Sequence, residues 1–373
     1  MTNATCHDNS SVITVASPSF SGGGAERVMV ILANALYARG HQVHFIVLRD
    51  NGPYKRLLNQ AIPKTTLMPD SNSKAYRRII AFRSLALYLR RHDPSILIST
   101  LRRFNMFCAV CLWTSGASSR HYVREAAPLD SLTGSNRFLN RLTLNIMSFI
   151  YKRCDGVIAN GMSTRDDLID VISLPPSTIS TIPNPIDLAS ISASCTGIRK
   201  ADVPTIVACG RFSATKNYQD LIKALPLVKR RHPAIHLYLL GEGPEEGALK
   251  NLAERLGIID HIEFTGFVEN PFAYFARAHV FVHTSRYEGF GYVLAEALAC
   301  GTQVVAYKGR GGMNEIVTDQ DLGELVPMGD VTSLASSISA RLDAPTPPEI
   351  IMGAATRFDV DAITDDYLRA CTP

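Results

Sequence analysis

The chain has 373 residues, of which 46% are apolar and 19% charged, so it is typical of a globular protein with two cores. No apolar run approaches the roughly 20 residues that a membrane helix needs, and Met1–Asn9 lacks an apolar signal core, which predicts a cytoplasmic protein. The net charge of +4 is unevenly distributed: residues 1–187 carry 21 Lys/Arg against 12 Asp/Glu, whereas residues 188–373 carry 17 against 22.

The basic first half indicates either an anionic acceptor, a peripheral contact with the anionic inner face of the cytoplasmic membrane, or only a solvated charged surface. Nucleic acid is not expected as a partner, because the basic residues are not interleaved with aromatic ones and no nucleic-acid-binding motif occurs.

Metal and cofactor sites are not predicted. The close pair Cys108 and Cys111 has no second C-x-x-C motif to complete a zinc site, and the ten histidines form no metal-binding spacing. The two Asp-x-Asp pairs, at 319–321 and 359–361, are predicted in a turn and at the start of the last helix, where a structural role is expected.

The first segment predicts a strand–helix–strand unit: strand Val12–Ala16, glycine loop Ser21–Gly24, helix Ala25–Ala38 and strand Val43–Leu48. A helix over Ile79–Leu89 and a strand over Ile96–Thr100 continue the alternation. This order is typical of a parallel sheet.

Thr181–Pro185 cannot be helical because of its two prolines, and the polar stretch Ile186–Asp202 is predicted to be the crossing between domains. A second alternating series follows: strands at 205–208, 236–240, 262–265, 280–283 and 303–306, with helices at 218–231, 245–256 and 292–299. The sequence therefore predicts an α/β protein with two doubly wound, Rossmann-like domains facing a central cleft that holds the ligand.

The motif Ser285–Glu296 follows an apolar strand and opens a helix. Gly289 and Gly291 leave backbone amides unshielded at the helix start, where free N–H groups favour anionic oxygens such as those of a diphosphate. Glu296, one turn into the helix, is positioned to accept hydrogen bonds from a ribose diol. Alternatively, Glu288 and Glu296 are ordinary helix residues.

A second motif, Cys209–Asn217, also follows a strand, and its Arg211 and Lys216 are suited to clamping a diphosphate. The glycine loop Ser21–Arg27 lacks the G-x-G-x-x-G spacing of a dinucleotide site, so an NAD-type oxidoreductase would leave the second half of the chain unexplained. We interpret this loop as allowing close approach to phosphate or sugar, with a plain tight turn as the alternative.

These motifs together resemble the family 4 retaining glycosyltransferases of GT-B fold. The motifs that carry the resemblance are Gly23–Val28, Gly210–Arg211 with Lys216, Gly241–Pro244, Phe264–Phe267, Glu288–Gly291 with Glu296, Ala299–Thr302 and Gly311–Ile316. Their most specific element is the pair of glutamates separated by seven residues around Gly-Phe-Gly.

The resemblance implies a role for each matching position. Arg211 and Lys216 would hold the donor diphosphate, Glu288 would contact the donor sugar, and these three are the candidate catalytic residues. Glu296 would bind the ribose. The other implied donor-binding residues are Gly23, Gly24, Gly210, Gly266, Phe267, Val268, Gly289, Phe290, Gly291 and Tyr292.

On the acceptor side the sequence departs from the family. Many relatives have a histidine after the strand at 96–100, whereas this chain has Arg102 and Arg103; these are candidates for an anionic acceptor or else surface arginines. Glu125 and Asn160 are further candidates, because relatives line the cleft there. Gly311–Gly312 and Asn314 stand where such enzymes often have Gly-Gly-x-Pro-Glu.

The resemblance implies a metal-independent hexosyltransferase that retains anomeric configuration, in which cations and helix-end amides stabilise the leaving diphosphate. The expected partners are a UDP- or GDP-sugar and a glycan or lipid-linked acceptor of bacterial surface polysaccharide, lipopolysaccharide or glycoconjugate synthesis. The implied domains are 1–187 with the returning helix 358–373, for the acceptor, and 188–357, for the donor. A nucleotide-sugar epimerase and a non-catalytic nucleotide-sugar-binding subunit are the alternatives.

Overall fold

A computed structural model describes residues 12–21, 23–68, 74–127, 129, 137–309 and 311–372. Residues 1–11, with the polar N-terminus, and Gly22 of the first glycine loop lie outside the described residues.

The described residues form thirteen strands and fourteen helices. The strands are β1 Ile13–Ser17, β2 Val43–Val47, β3 Lys64–Thr66, β4 Ile96–Thr100, β5 Arg120–Glu125, β6 Gly156–Ala159, β7 Ile179–Thr181, β8 Thr205–Cys209, β9 His236–Leu240, β10 Ile262–Gly266, β11 Val280–His283, β12 Gln303–Lys308 and β13 Gly323–Pro327. The helices are α1 Gly24–Ala38, α2 Lys74–His92, α3 Arg102–Ser115, α4 Arg137–Tyr151, α5 Met162–Asp170, α6 Leu188–Cys195, α7 Tyr218–Arg231, α8 Glu246–Arg255, α9 Phe272–Arg277, α10 Tyr292–Ala299, α11 Met313–Ile316, α12 Val331–Asp343, α13 Pro348–Ala355 and α14 Val360–Cys371.

The chain divides into two compact α/β units. The N-terminal unit runs to Asn160 and includes Thr164–Pro185 and the chain from Ile363, whereas the C-terminal unit comprises Gly161–Ser163 and Ile186–Ala362. Each contains one parallel sheet, so the predicted fold class of two doubly wound α/β domains is confirmed.

In the N-terminal unit the strand order is β3-β2-β1-β4-β5-β6-β7. One face of this sheet packs against α1 and α14, and the other packs against α2, α3, α4 and α5. Ile363, Tyr367 and Cys371 of α14 are buried in the first of these cores, so the last helix belongs to the N-terminal unit.

In the C-terminal unit the strand order is β10-β9-β8-β11-β12-β13. Helices α9, α10 and α13 cover one face and α7, α8 and α12 cover the other, which explains why strands such as β11 are apolar on both faces. In both units the strand order reverses direction between two central strands, β1 and β4 or β8 and β11. Loops at the carboxyl ends of such strands form the usual ligand-binding crevice of an open α/β sheet.

The chain passes from the N-terminal to the C-terminal unit between Pro185 and Ile186, at the start of the stretch Ile186–Asp202 that is predicted as the crossing, but this stretch is not all irregular. It contains α6, whose start is capped by the Asp187 carboxylate, which accepts a hydrogen bond from the Ser190 amide at 2.9 Å. Ile191 of this helix is buried against the core that contains α9 and α10. The short helix has one strongly buried residue, too little for a recognisable apolar stripe in the sequence.

Candidate active site

Two loops at the carboxyl edge of the C-terminal sheet are joined by hydrogen bonds. The amide of Arg286 donates to the carbonyl of Thr215 at 2.8 Å, and the hydroxyl of Ser285 donates to the same carbonyl at 3.2 Å. The hydroxyl of Thr284 donates to the carbonyl of Lys216 at 2.9 Å. The loop after β8 is thereby fixed against the loop after β11, which brings two distant sequence motifs together.

Glu288 lies at the centre of this contact. Its Oε1 atom forms an ion pair with the ammonium of Lys216 and lies 3.1 Å from Nε2 of His283, the last residue of β11. The Lys216 and Glu288 side chains are about one-fifth exposed, whereas His283 is 1% exposed. The sequence predicts only that Glu288 and Lys216 bind the same donor molecule. In the structure their side chains are in direct contact.

The electrostatics of this cluster keep Glu288 ionised. Burial by itself raises the pKa of Glu288, but the contacts with His283 and Lys216 outweigh it and lower the pKa to about 2. Glu288 is therefore an anion at any physiological pH and is unsuited to donate a proton.

The start of α10 follows directly after Glu288. Gly291, the residue before the helix, has a left-handed backbone with φ of 91°, and no side chain caps the helix start. A Cβ atom at Gly311, between β12 and α11, would lie 1.6 Å from the Glu288 carbonyl oxygen, so only glycine permits this segment to pack against Glu288. The positive end of the helix dipole at this helix start favours an anionic group.

A cavity of about 540 Å³ opens beside the loop after β8. Its lining includes several of the predicted donor-binding residues and adjacent backbone: Cys209, Gly210, Arg211, Leu240, Gly241, Glu242, Gly243, Phe267 and Val268. Arg211 is exposed at this cavity, and Phe267 is 76% exposed. Gly266 has a φ of 71° and directs the Phe267 segment along the rim.

Glu296 is buried on α10, one helical turn and a half from Gly291. Burial, followed by the nearby charge of Glu296, raises the pKa of the Cys209 thiol to about 12, while Lys216 opposes the shift. Glu296 and Lys216 are therefore both near enough to Cys209, at the cavity wall, to affect the pKa of its thiol. Phe290 is buried in the core with its ring against Phe358, so only its backbone is available to a donor.

The predicted residues of the first glycine loop lie in the N-terminal unit. Gly23 precedes α1, and a Cβ atom there would lie 2.3 Å from a carboxylate oxygen of Glu26. Gly24, the first residue of α1, is exposed. Glu26 is buried, and this burial raises the pKa of its carboxyl group. How the loop meets a donor remains a prediction.

Of the acceptor-side candidates, Glu125 is buried at the end of β5. It accepts hydrogen bonds from the Tyr151 hydroxyl and, at 3.3 Å, from the Asn105 amide, and its Oε2 lies 3.5 Å from Nη2 of Arg102. Burial raises the pKa of Glu125 despite these contacts. Arg103, the next residue along, is exposed.

Asn160 is also engaged within the N-terminal unit. Its amide donates to the Ala126 carbonyl at 2.8 Å, and its carbonyl oxygen accepts from the Thr164 hydroxyl at 2.7 Å. The acceptor-binding roles of Asn160 and Glu125 stay predictions, but both side chains have structural partners.

Among the described residues there is no group of three or more histidine, cysteine, aspartate or glutamate side chains arranged to hold a metal ion.

Sequence analysis did not identify two polar residues, His283 in the C-terminal sheet and Arg124 in the N-terminal sheet, as candidates for a role. His283 was interpreted only as the end of a strand, although a polar residue closing an otherwise apolar strand before the glutamate motif is a usable signal. Arg124 is completely buried and contacts Thr100, Asn184 and Tyr367, three residues far apart in sequence. No local pattern indicates its partners.

Comparison with known proteins assigns both units. Residues 22–190 match the family described as Glycosyltransferase Family 4, and residues 197–356 match the family described as Glycosyl transferases group 1. The two matches follow one another along most of the chain. The chain belongs to the family 4 glycosyltransferases.

This glycosyltransferase is similar in sequence to two bacterial enzymes over nearly their full lengths. One is the N-acetylgalactosamine-N,N′-diacetylbacillosaminyl-diphospho-undecaprenol 4-alpha-N-acetylgalactosaminyltransferase of Campylobacter jejuni, 27% identical over 87% of this chain and 88% of the relative. The other is the lipopolysaccharide core biosynthesis glycosyltransferase LpsD of Rhizobium meliloti, 27% identical over 93% of this chain and 94% of the relative.

Solved structures share the fold of this glycosyltransferase. HepE of Anabaena in complex with UDP matches with a TM-score of 0.79 at 22% identity, covering 96% of this chain and 98% of HepE. The apo form of the lipopolysaccharide outer core galactosyltransferase WaaB matches with a TM-score of 0.78 at 16% identity, with the same coverage. Both likenesses concern the two-domain GT-B fold alone.

Proposed function

We propose that this glycosyltransferase transfers a hexose-type sugar, with retention of configuration and without a metal, from a UDP- or GDP-sugar to a lipid-linked or lipopolysaccharide acceptor. The observation that carries the proposal is the Lys216–Glu288–His283 cluster at the carboxyl edge of the C-terminal sheet, beside the cavity of about 540 Å³. A cation, an ionised carboxylate and a helix start without a side-chain cap are groups suited to binding a sugar diphosphate.

The donor is proposed to bind within the C-terminal unit. Its base lies in the cavity along Gly266, Phe267 and Val268, and its ribose is held by Glu296. Arg211 and Lys216 contact the diphosphate, aided by the amides of Gly289 to Tyr292 at the start of α10. A diphosphate donor is supported by the UDP and UDP-glucose complexes named for HepE.

In the reaction proposed here, charge develops on the diphosphate as the bond to the sugar breaks. Fixed donors aimed at that charge stabilise the transition state more than the ground state. Glu288, with a pKa lowered to about 2, has no proton to give, so it is proposed to orient the sugar and to balance the growing positive charge at its anomeric carbon. The departing phosphate oxygen then accepts the proton of the attacking hydroxyl.

The decisive experiment is transfer of label from tritiated UDP- and GDP-sugars to an extract of lipid-linked and lipopolysaccharide acceptors. Labelled product with an unchanged anomeric configuration, formed equally well after treatment with a chelator, is the expected result. Loss of transfer after chelation with recovery by manganese would contradict the metal-independent mechanism. Formation of an epimer without transfer would favour an epimerase, and nucleotide-sugar binding without turnover would favour a non-catalytic subunit.

An acceptor carried by a lipid brings the enzyme to a membrane, and the N-terminal unit has a surface suited to this. The sequences of α2, α3 and α4 contain six, two and two Lys/Arg residues and no Asp or Glu. Helices α2 and α4 both pack against α3, so these charges belong to neighbouring elements. Such a surface is electrostatically complementary to anionic lipid.

Apolar side chains are exposed on the same helices. Leu142, Ile146 and Phe149 occupy one stripe of α4, and each is about half exposed. Trp113 of α3 contacts Phe149 edge to face at 6.4 Å between ring centroids, and the Arg153 guanidinium lies 3.6 Å above the Phe149 ring. Aromatic and aliphatic side chains beside cations are typical of helices that lie in a membrane interface. Among the described residues no helix has the length and apolar character of a membrane span.

Vesicle sedimentation tests this surface. We expect the protein to bind vesicles containing phosphatidylglycerol and not those of phosphatidylcholine alone, with binding that weakens as salt increases. The double variant Ile146→Ser/Phe149→Ser is expected to reduce binding about tenfold or more, because two apolar side chains no longer enter the interface. The control, Ile350→Ser, changes an equally exposed residue of the C-terminal unit. Unchanged binding of the double variant would contradict the assignment.

A further inference from the structure

We infer that His283 is the positioning residue that keeps Glu288 ionised when the donor diphosphate draws Lys216 away. The inference rests on the proposed function and assigns a role to a residue outside the glutamate motif itself. It is carried by one geometric fact: Lys216 and His283 approach the same carboxylate oxygen, Oε1 of Glu288.

The two partners of Glu288 differ in mobility. His283 ends β11, which is paired with β8 on one side and β12 on the other, and its ring stacks on Phe281 at 6.4 Å between centroids. With a side chain 1% exposed, His283 is fixed in the core. Lys216 lies in a loop, carries a long side chain and is 21% exposed. Only the lysine can exchange one anionic partner for another without rearranging the sheet.

His283 has no competing partner. In the described part of the chain the buried Nε2 of His283 forms no hydrogen bond, and Oε1 of Glu288 lies within ion-pair distance of it, at 3.1 Å. A buried imidazole nitrogen without a hydrogen-bond partner carries a desolvation cost, so a hydrogen bond from Nε2 to the adjacent carboxylate is favourable when it forms.

Donor binding changes the charge balance around Glu288. The titratable groups that face the carboxyl are Lys216 from the loop after β8, His283 from β11 and Tyr218 from α7. Burial raises the pKa of Tyr218 far above its usual range, so its hydroxyl stays neutral. When a diphosphate binds Lys216, His283 is the one of these three groups that still stabilises the negative charge of Glu288. The bound diphosphate adds further negative charge nearby.

Without His283, and with Lys216 bound to the diphosphate, the buried carboxylate would have neither a cation nor an N–H donor beside it. Burial and a neighbouring negative charge both raise a carboxyl pKa. Glu288 would then take up a proton in the donor complex as the pH falls, and a protonated carboxyl cannot balance positive charge on the sugar. The kcat of an enzyme without His283 would therefore fall at acidic pH, whereas the kcat of the wild type would not.

The test compares kcat and KM from pH 5 to pH 9 in the labelled-transfer assay for the wild type, His283→Leu and His283→Gln. We expect a flat kcat for the wild type and, for His283→Leu, a fall of about tenfold or more between pH 7.5 and pH 5.5, with KM for the donor little changed. His283→Gln retains an N–H donor and is expected to give a flat profile again, whatever its turnover at pH 7.5. If His283→Leu does not fold, the unbranched His283→Met takes its place.

A flat profile for the apolar variant, or an acid loss of equal size in His283→Gln, would overturn the inference while leaving the proposed function intact. Equal losses of kcat at every pH would also overturn it, since a purely structural role has that signature. The proposed function fails in a different way: a wild type that transfers no label and binds neither UDP nor GDP by calorimetry.

Discussion

The two units of this glycosyltransferase have closely similar topology but use the carboxyl edge of the sheet differently. In the C-terminal unit the central strands β8 and β11 lead to charged side chains that meet at the edge, with Glu288 ionised between Lys216 and His283. In the N-terminal unit the corresponding strands β1 and β4 lead to a glycine loop and to Arg102, whose guanidinium points to a buried Glu125.

Polar side chains at the carboxyl edge of the N-terminal sheet, such as Arg124 and Glu125, form hydrogen bonds with other residues of the same unit. Arg124 contacts Thr100, Asn184 and Tyr367, which come from β4, the segment after β7 and α14. The sequences of the outer helices α2 and α4 contain eight Lys/Arg residues and no Asp or Glu. If the proposed function holds, the same fold uses buried polar groups for cohesion in one unit and for a ligand site in the other, and burial alone does not distinguish the two uses.

The largest expected effect is in the C-terminal unit. Lys216→Ala should lower kcat for transfer about 1,000-fold, because a cation aimed at the leaving diphosphate is lost. The unfolding midpoint should change little. Lys223→Ala, which removes a half-exposed lysine of the neighbouring helix α7, is the matched control and should retain activity. Near-normal turnover of Lys216→Ala would remove the basis for assigning the site to this cluster.

In the N-terminal unit the largest expected effect is on stability. Arg124→Met should lower the free energy of unfolding by about 3 kcal/mol, because buried oxygens of Asn184 and Tyr367 lose their donor. Chemical denaturation measures the change, and Arg49→Met, at an exposed position of the same unit, serves as the control. A stable Arg124→Met enzyme with a raised acceptor KM would instead make Arg124 part of the acceptor site and break the contrast between the units.

A smaller effect is expected for Glu296→Gln. The amide replaces one acceptor of ribose hydrogen bonds by a donor, so affinity for UDP should fall about tenfold, whereas affinity for inorganic pyrophosphate should be unchanged. Calorimetric titration of both ligands distinguishes a ribose contact from general damage to the site. Equal losses for UDP and pyrophosphate would argue that Glu296 supports α10 rather than the nucleotide.

The smallest effect is expected for Glu125→Gln. Burial already raises the pKa of Glu125, and glutamine keeps an acceptor for Tyr151, so the loss of unfolding free energy should be about 1 kcal/mol. Acceptor KM should not change if the residue is structural. A KM increase of about tenfold without destabilisation would assign Glu125 to the acceptor and bring the two units closer in function.

Much of the fold was accessible from the sequence because its signals are local. The strands at 96–100, 236–240 and 280–283 and the helices at 218–231 and 292–299 were predicted with the bounds that the structure has, since each is a compact apolar segment ended by turn residues. Helix α2 runs from Lys74 to His92, longer than predicted at both ends, because its terminal turns are basic and give no apolar periodicity. Helix α6 was missed for a similar reason.

The sequence by itself determined which residues follow the strands of the C-terminal sheet, and hence that Arg211, Lys216, Glu288 and Glu296 lie near one edge. Only the tertiary structure decided that Lys216 and His283 converge on a single oxygen of Glu288, and that Arg124 is a buried connection between three segments. The physical reason is that strand and helix preferences act over a few residues. Ion pairs and buried hydrogen bonds depend on which distant segments the folded sheet brings within about 3 Å of each other.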